Sequence, residues 1–280
     1  MDRIRRNERL AAMTRILVES PNKIFTLGTF CEMFGAAKST LSEDIDILRG
    51  VFAQFHLGQL DTVTGAAGGV RYRPVLAPED AYSAVKELAQ TLAAPGRVLP
   101  GGFVYMADIL AQPDIVERMG MIIASHFYRT EPDIVLTMET KGIPIAMMTA
   151  KALGVPMVIV RRDSKVYEGP AVTINYLSGS GGRVETMSLS RRAVREGQRA
   201  LIVDDFMRAG GTARGMVDMM REFAVTVVGV CVLMSTQEPA KKRLEGVKSL
   251  LVIEGTDETT GTAIIKPAPW LVQAAEKARA

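Results

Sequence analysis

Residues 201–216, LIVDDFMRAGGTARGM, constrain the fold of this chain more than any other stretch. Leu201, Ile202 and Val203 read as a buried strand. Asp204 and Asp205 follow at its C-terminal end, and the paired glycines Gly210 and Gly211 make a turn. Thr212 then opens a helix with Met216, Met219 and Met220 on its apolar side. This order fits an anion site in an open α/β sheet, where ligands lie beyond the carboxyl ends of parallel strands. Free N–H groups in the turn and at the helix start attract phosphate. Adjacent carboxylates are wrong for phosphate but right for ribose hydroxyls or a bound Mg²⁺. The bland alternative is a strand–turn–helix with a solvated acidic end; a lone DD or GGT would favour it, and the full order does not.

The segment resembles the signature of type I phosphoribosyltransferases, which bind phosphoribosyl pyrophosphate (PRPP). The resemblance implies that Asp204 and Asp205 take the ribose hydroxyls, while Ala209, Gly210, Gly211 and Thr212 cup the 5-phosphate. Two positions depart from the pattern. Many 6-oxopurine enzymes of the family have an Asp three residues after the second carboxylate, as general base; here that position is Arg208. A guanidinium stays protonated and cannot accept a proton. Ala209 stands where a Thr or Ser often adds a hydroxyl. Both departures weaken catalysis and leave the binding site largely intact, so no catalytic residue is assigned.

The 280 residues are 48% hydrophobic and 23% charged, enough for one large or two unequal domains. A formal charge of only +3 announces no nucleic acid, but residues 1–9 hold Arg3, Arg5, Arg6 and Arg9 against Asp2 and Glu8. Cys31 and Cys231 lie far apart with no CxxC pattern, which argues against a disulfide framework or a zinc site; no metal ligands are assigned. Both read as buried thiols in a reducing cytoplasm. His56 and His126 read as structural. There is no signal-peptide pattern and no apolar run near 18 residues, so no membrane is expected and the location expected is cytoplasmic.

Residues 7–19 carry Leu10, Met13, Ile16, Leu17 and Val18 at helical spacing. Thr26 caps a second helix over 27–34, which Gly35 breaks. Residues 36–49 follow, with Leu41, Ile45 and Leu48 in one apolar stripe behind a Ser/Thr/Lys-rich leading edge. That is the helix-turn-helix arrangement. Two short β runs, 60–64 and 70–73, then surround Gly65-Ala66-Ala67-Gly68-Gly69, as in a wing. The expected DNA contacts are Arg5, Arg6, Lys38, Ser39, Thr40, Ser42 and Arg71, with Arg73 also available. A dimerisation or regulatory helical domain with a solvated charged face is the competing reading.

Pro74 and Pro78 bracket a boundary, giving domains 1–74 and 75–280. Residues 78–92 form a helix with acids in its first turn. Strands at 134–138 and 157–160 flank a helix to about residue 153, the pattern of right-handed parallel units. Thr140-Lys141-Gly142 sits at the end of the first of these strands. In the PRPP-binding family this loop meets the pyrophosphate. Residues 163–182, polar and glycine-bearing, look like that family's long mobile loop. Phe103 and Phe206 are candidates to sandwich a purine ring.

A winged helix joined to a PRPP-type domain resembles the purine operon repressor family of Gram-positive bacteria from end to end. The carriers are Ser39-Thr40-Leu41-Ser42-Glu43-Asp44, Gly65-Ala66-Ala67-Gly68-Gly69-Val70, Leu99-Pro100-Gly101-Gly102, Thr140-Lys141-Gly142-Ile143-Pro144, Ile174-Asn175-Tyr176 and Asp204-Asp205-Phe206-Met207. The fold implied is α/β: an N-terminal winged helix-turn-helix domain and a C-terminal type I phosphoribosyltransferase fold with a mostly parallel sheet. The resemblance further implies a homodimer on double-stranded operator DNA near purine genes. PRPP, with or without Mg²⁺, is the implied inducer, and in some members guanosine tetraphosphate is a co-repressor in the same pocket. The rival expectation is an active purine phosphoribosyltransferase with an appended regulatory domain.

Overall fold

The structure, a computed structural model, describes residues 4–65, 68–163, 169–179 and 183–279. The chain divides into two compact units, Met1–Ala77 with Lys151–Gly154, and Pro78–Ala150 with Val155–Ala280.

In the first unit, α1 (Arg6–Glu19) is followed by β1 (Ile24–Phe25), α2 (Leu27–Phe34) and α3 (Lys38–Gln54). The strands β2 (Gln59–Val63) and β3 (Gly69–Arg73) complete it. Thr26 caps α2 by accepting from the Thr29 amide at 3.1 Å, and Gly35 ends it in the left-handed region at φ 60°. The third helix runs five residues beyond the expected end at 49. Phe52, 2% exposed, extends the stripe of Leu41, Ile45 and Leu48, and that burial outweighs the low helix propensity of Gly50. The strands β2 and β3 pair antiparallel, with Leu60 opposite Tyr72, and β1 adds to the other edge of β3. Helix-turn-helix followed by a hairpin in the wing position is therefore the observed order. The expected wing tip at Ala66 and Ala67 lies outside the described residues. Met13, Leu17, Phe30, Leu41 and Phe52 form the core, with Phe25, Phe30 and Phe34 in successive stacks at 5.5 and 5.9 Å.

The second unit opens with α4 (Pro78–Leu92), β4 (Val98–Leu99), β5 (Phe103–Val104), α5 (Ala107–Leu110) and α6 (Pro113–Phe127). The central elements are β6 (Ile134–Met138), α7 (Ile143–Leu153), β7 (Met157–Val160), β8 (Ala171–Ser178), β9 (Arg183–Ser190), β10 (Arg199–Met207) and α8 (Gly211–Glu222). It closes with β11 (Thr226–Thr236), β12 (Lys248–Asp257), β13 (Thr262–Pro267) and α9 (Pro269–Arg279). Six strands make one sheet in the order β13-β12-β11-β10-β6-β7, parallel except where β13 returns along β12.

Within the expected long loop at 163–182, residues 171–178 form a strand, β8, which pairs antiparallel with β9. Residues Val172, Ile174 and Tyr176 turn inward while Thr173, Asn175 and Leu177 are exposed. This two-residue period is short and lies between the flanking glycines Gly169 and Gly179. Residues 164–168 and 180–182, also part of that expected loop, lie outside the described residues.

Two facts place the site. Met216, Met219 and Met220 on α8 are fully buried with Leu136, Ile202 and Val232, which fixes the helix against the sheet. The ladder of β10 with β6 ends at Ile202–Leu136, whereas that with β11 runs on to Met207–Ser235. The end of β10 that carries Asp204 and Asp205 is therefore paired on one side only, and its other side opens as a crevice. Among the described residues, no helix is long and apolar enough to cross a membrane.

Candidate functional site

Asp204 is 8% exposed, and its Oδ1 accepts the Asp205 amide at 3.0 Å. Burial, and after it the charge of Asp205, raises the Asp204 carboxyl well above the usual range. Burial also raises Asp205, against the lowering effects of a hydrogen bond with Asp204 and the charge of Lys141. Two carboxyls this close and this dry do not both ionise readily without a partner. Hydroxyl donors or a divalent cation would supply that partner. Among the described residues, no cluster of three or more His, Cys, Asp or Glu side chains is arranged to hold a metal.

Beyond β10 the chain turns through Arg208, Ala209 and Gly210. Gly210 caps α8 at φ 82°, a conformation that suits glycine. The first-turn amides of α8 then have no acceptor within the helix and point toward the turn. Gly211 is required by packing: a Cβ there would lie 1.8 Å from the Leu177 carbonyl on β8. A cavity of about 400 Å³ lies over this turn, lined by Asp204, Ala209, Gly210, Gly211 and Thr212. Phe103, Phe206, Arg208 and Arg183 complete much of its wall. The sequence reading missed Arg183, because nothing in its local pattern shows that β9 starts beside the 208–212 turn.

The Thr140–Lys141–Gly142 loop reaches the acid pair through its glycine and does not line that cavity. A Cβ on Gly142 would lie 2.2 Å from Asp204 Oδ1 and 2.4 Å from Thr137 Oγ1. Thr140 and Lys141 are exposed beside it. The turn is braced from behind by residues that motif reading did not select. Lys242 Nζ donates to the Arg208 carbonyl at 2.6 Å and the Thr236 carbonyl at 2.7 Å, and the Arg243 amide donates to the Ala209 carbonyl at 2.8 Å. The basic run at 241–243 was the only signal in the sequence.

Phe103 and Phe206, the candidates to sandwich a purine ring, stand beside each other on the cavity wall. Their ring centroids are 6.4 Å apart at an interplanar angle of 58°, so the rings touch each other at a tilt and leave no parallel slot between them.

In the first unit, Lys38, Ser39 and Ser42 are exposed at the start of α3 and Thr40 is half-buried. Arg5 is exposed at the N-cap of α1. Two other expected contacts are not simply open cations. Arg6 pairs with Asp44 at 2.9 Å and Glu43 at 3.2 Å, while Arg9 also holds Asp44, at 2.8 Å. Arg71 and Arg73 both face Asp61. Charge counting along the sequence cannot see these partners, since Asp44 lies 38 residues from Arg6.

A helix-turn-helix unit with a wing-position hairpin, followed by a phosphoribosyltransferase-type pocket, defines a DNA-binding regulator built on a nucleotide-metabolism fold. Residues 5–74 match the family described as "Bacterial purine repressor, N-terminal", and residues 106–264 match "Phosphoribosyl transferase domain". The purine biosynthesis transcriptional repressor PurR of Bacillus subtilis is 44% identical over 251 residues, covering 90% of this chain and 88% of that protein. The purine biosynthesis transcriptional activator PurR of Lactococcus lactis is 40% identical over 254 residues, 91% of this chain and 94% of that protein. The adenine phosphoribosyltransferase structure from Rhodothermus marinus covers 60% of this chain and 97% of its own, at TM-score 0.50 and 23% identity, a likeness of fold alone. The chain belongs to the bacterial purine repressor family, whose curated members are regulators of purine biosynthesis genes.

Proposed function

We propose that this protein represses purine biosynthesis and transport genes as a cytoplasmic homodimer on double-stranded operator DNA. Its phosphoribosyltransferase-fold unit binds PRPP as inducer and does not process it. The observation that carries this reading is the juxtaposition of the Asp204–Asp205 pair with the open α8 N-terminus, beside Arg208 at the position where oxopurine enzymes of the fold carry an acid. The acid pair takes the ribose hydroxyls, the 209–212 turn takes the 5-phosphate, and Lys141 neutralises the pyrophosphate. A Mg²⁺ carried with the pyrophosphate fits the adjacent carboxylates, and guanosine tetraphosphate competes for the same cavity as co-repressor.

The regulatory step is linkage. PRPP favours a state with weaker operator affinity, and DNA weakens PRPP binding by the same factor, typically about 1–3 kcal/mol. The test compares operator binding with and without PRPP for wild type and Asp204→Ala. PRPP should weaken the wild-type complex and leave the variant's unchanged; an equal response in both would overturn the assignment of the pocket. The repressor sign follows the Bacillus subtilis relative over the Lactococcus lactis activator, and a reporter assay with the gene deleted reads it directly.

The complete acid-pair and phosphate-turn arrangement also suits a working purine phosphoribosyltransferase. Release of pyrophosphate from PRPP plus a purine base, with Mg²⁺, would establish that reading in place of the sensor.

A further inference from the structure

The β2–β3 hairpin sets one acid between two guanidiniums. Asp61 on β2 is the register partner of Arg71 on β3, and Arg73, two residues on, shares that face. Asp61 Oδ2 contacts both, closely at Arg73 Nη2 and at 3.8 Å from Arg71 Nη2. The Asp61 and Arg73 side chains are 14% and 13% exposed, and that of Arg71 is 30% exposed. The two pairs therefore differ in kind. Asp61–Arg73 is withdrawn from water, where losing one partner strands a buried charge. Arg71 sits at the outer limit of ion contact and is the more exposed of the two; the Nε atoms of Arg71 and Arg73 are both buried without a hydrogen bond.

These three side chains carry one negative and two positive charges, so a second anion would find an incompletely neutralised cation there. The cluster is also fixed to α3, the helix that contacts DNA on the function proposed above, on which this inference rests. Arg49 on α3 donates to the Leu60 carbonyl at 3.3 Å and to Thr62 Oγ1 at 2.8 Å, the residues on either side of Asp61.

We propose that Asp61 is a resident stand-in for phosphate that sets how strongly the hairpin grips DNA. It holds Arg73 as a structural cation and Arg71 as a displaceable one, and Arg71 exchanges the carboxylate for a backbone phosphate when a duplex arrives. The carboxylate also repels the incoming phosphate.

The experiment is binding of the full chain to a mixed-sequence duplex over a salt series, for wild type, Asp61→Asn, Arg71→Ala and the double variant. Arg71→Ala should weaken binding and flatten the slope of log K against log salt by about 0.9, the release expected for one phosphate contact. Asp61→Asn should tighten binding by about fivefold, the scale of one weak ion pair. That gain should vanish in the double variant. The proposal is overturned if the gain survives without Arg71, or if Asp61→Asn binds no tighter while melting like wild type. Should Asp61→Asn melt early, Arg71→Ala decides alone, because it leaves the Asp61–Arg73 pair in place; an unchanged salt slope then overturns the proposal.

Discussion

Gly142 rests against the carboxylate of Asp204 so closely that a Cβ at position 142 would lie 2.2 Å from Asp204 Oδ1. The loop after β6 and the end of β10 are thus one site, brought together because the two strands are neighbours in the sheet. Gly142→Ala must push the loop or the carboxylate aside. Overpacking of this kind costs about 1–3 kcal/mol. If that cost falls on the ligand-ready arrangement, PRPP affinity measured by calorimetry drops roughly tenfold to a hundredfold while operator binding without PRPP is kept. Wild-type PRPP affinity in this variant would show that the loop and the acid pair are independent.

The acid pair gives a pH dependence whose sign follows from its burial. Asp204 and Asp205 bind protons more tightly in the ligand-free fold than in the unfolded chain. Their contribution to stability is complete below the ordinary carboxylate value of 3.8 and is lost as pH rises through their raised values. Asn at position 204 does not titrate. Asp204→Asn should therefore melt progressively higher than wild type as pH rises toward neutrality, with the gap closing in acid. A melting difference that stays flat across pH would remove the argument.

PRPP binding should show the complementary dependence. Ribose hydroxyls donate to ionised carboxylates, so affinity should weaken in acid starting above the range where ordinary Asp residues titrate. Isothermal titrations across pH measure this, with Asp205→Asn as the control that flattens the profile.

Asp44 is fully buried and holds Arg9, whose side chain is 9% exposed, together with Arg6. Asp44→Ala strands the Arg9 guanidinium in the core between α1 and α3. Removing one partner of a buried pair costs about 3–5 kcal/mol. Urea denaturation followed by far-ultraviolet circular dichroism should show early loss of helix, with operator binding lost and PRPP binding kept.

Met216 is fully buried under the sheet on the helix whose N-terminus faces the cavity. Met216→Ala should destabilise the chain by about 2–5 kcal/mol. Because α8 loses its seat, PRPP affinity should fall as well. A variant that loses stability without losing affinity would show that the turn holds its shape without the helix packing.

Local chemistry was legible wherever it was also local in structure. Thr26 and Gly35 mark the ends of α2 by capping and by positive φ, both one-residue effects. The apolar run at 201–203 and the methionines of α8 announce burial on their own. The Asp204–Thr212 order needs no long-range partner to be recognised, because one strand and one helix present all of it. The hairpin strand β8 was not legible: its inward residues alternate with Thr173, Asn175 and Leu177 in a stretch flanked by glycines, and only pairing with β9 makes it a strand. Side-chain partners were illegible for the same reason. Arg6 and Arg71 look like free cations until Asp44 and Asp61 are set beside them.

By itself the sequence determined the two-part plan, the helices of the first unit, the strands at 134–138, 157–160 and 201–203, and the acid-pair and glycine turn that follows the last of them. Each of these follows from periodicity, capping or a short contiguous motif. Only the tertiary structure decided which charges are spent internally, that Gly142 touches Asp204, that Phe103 and Phe206 meet each other, and that Lys242 braces the turn. Those relationships depend on which strands lie side by side and on distances across the fold, and a linear pattern of residues carries neither.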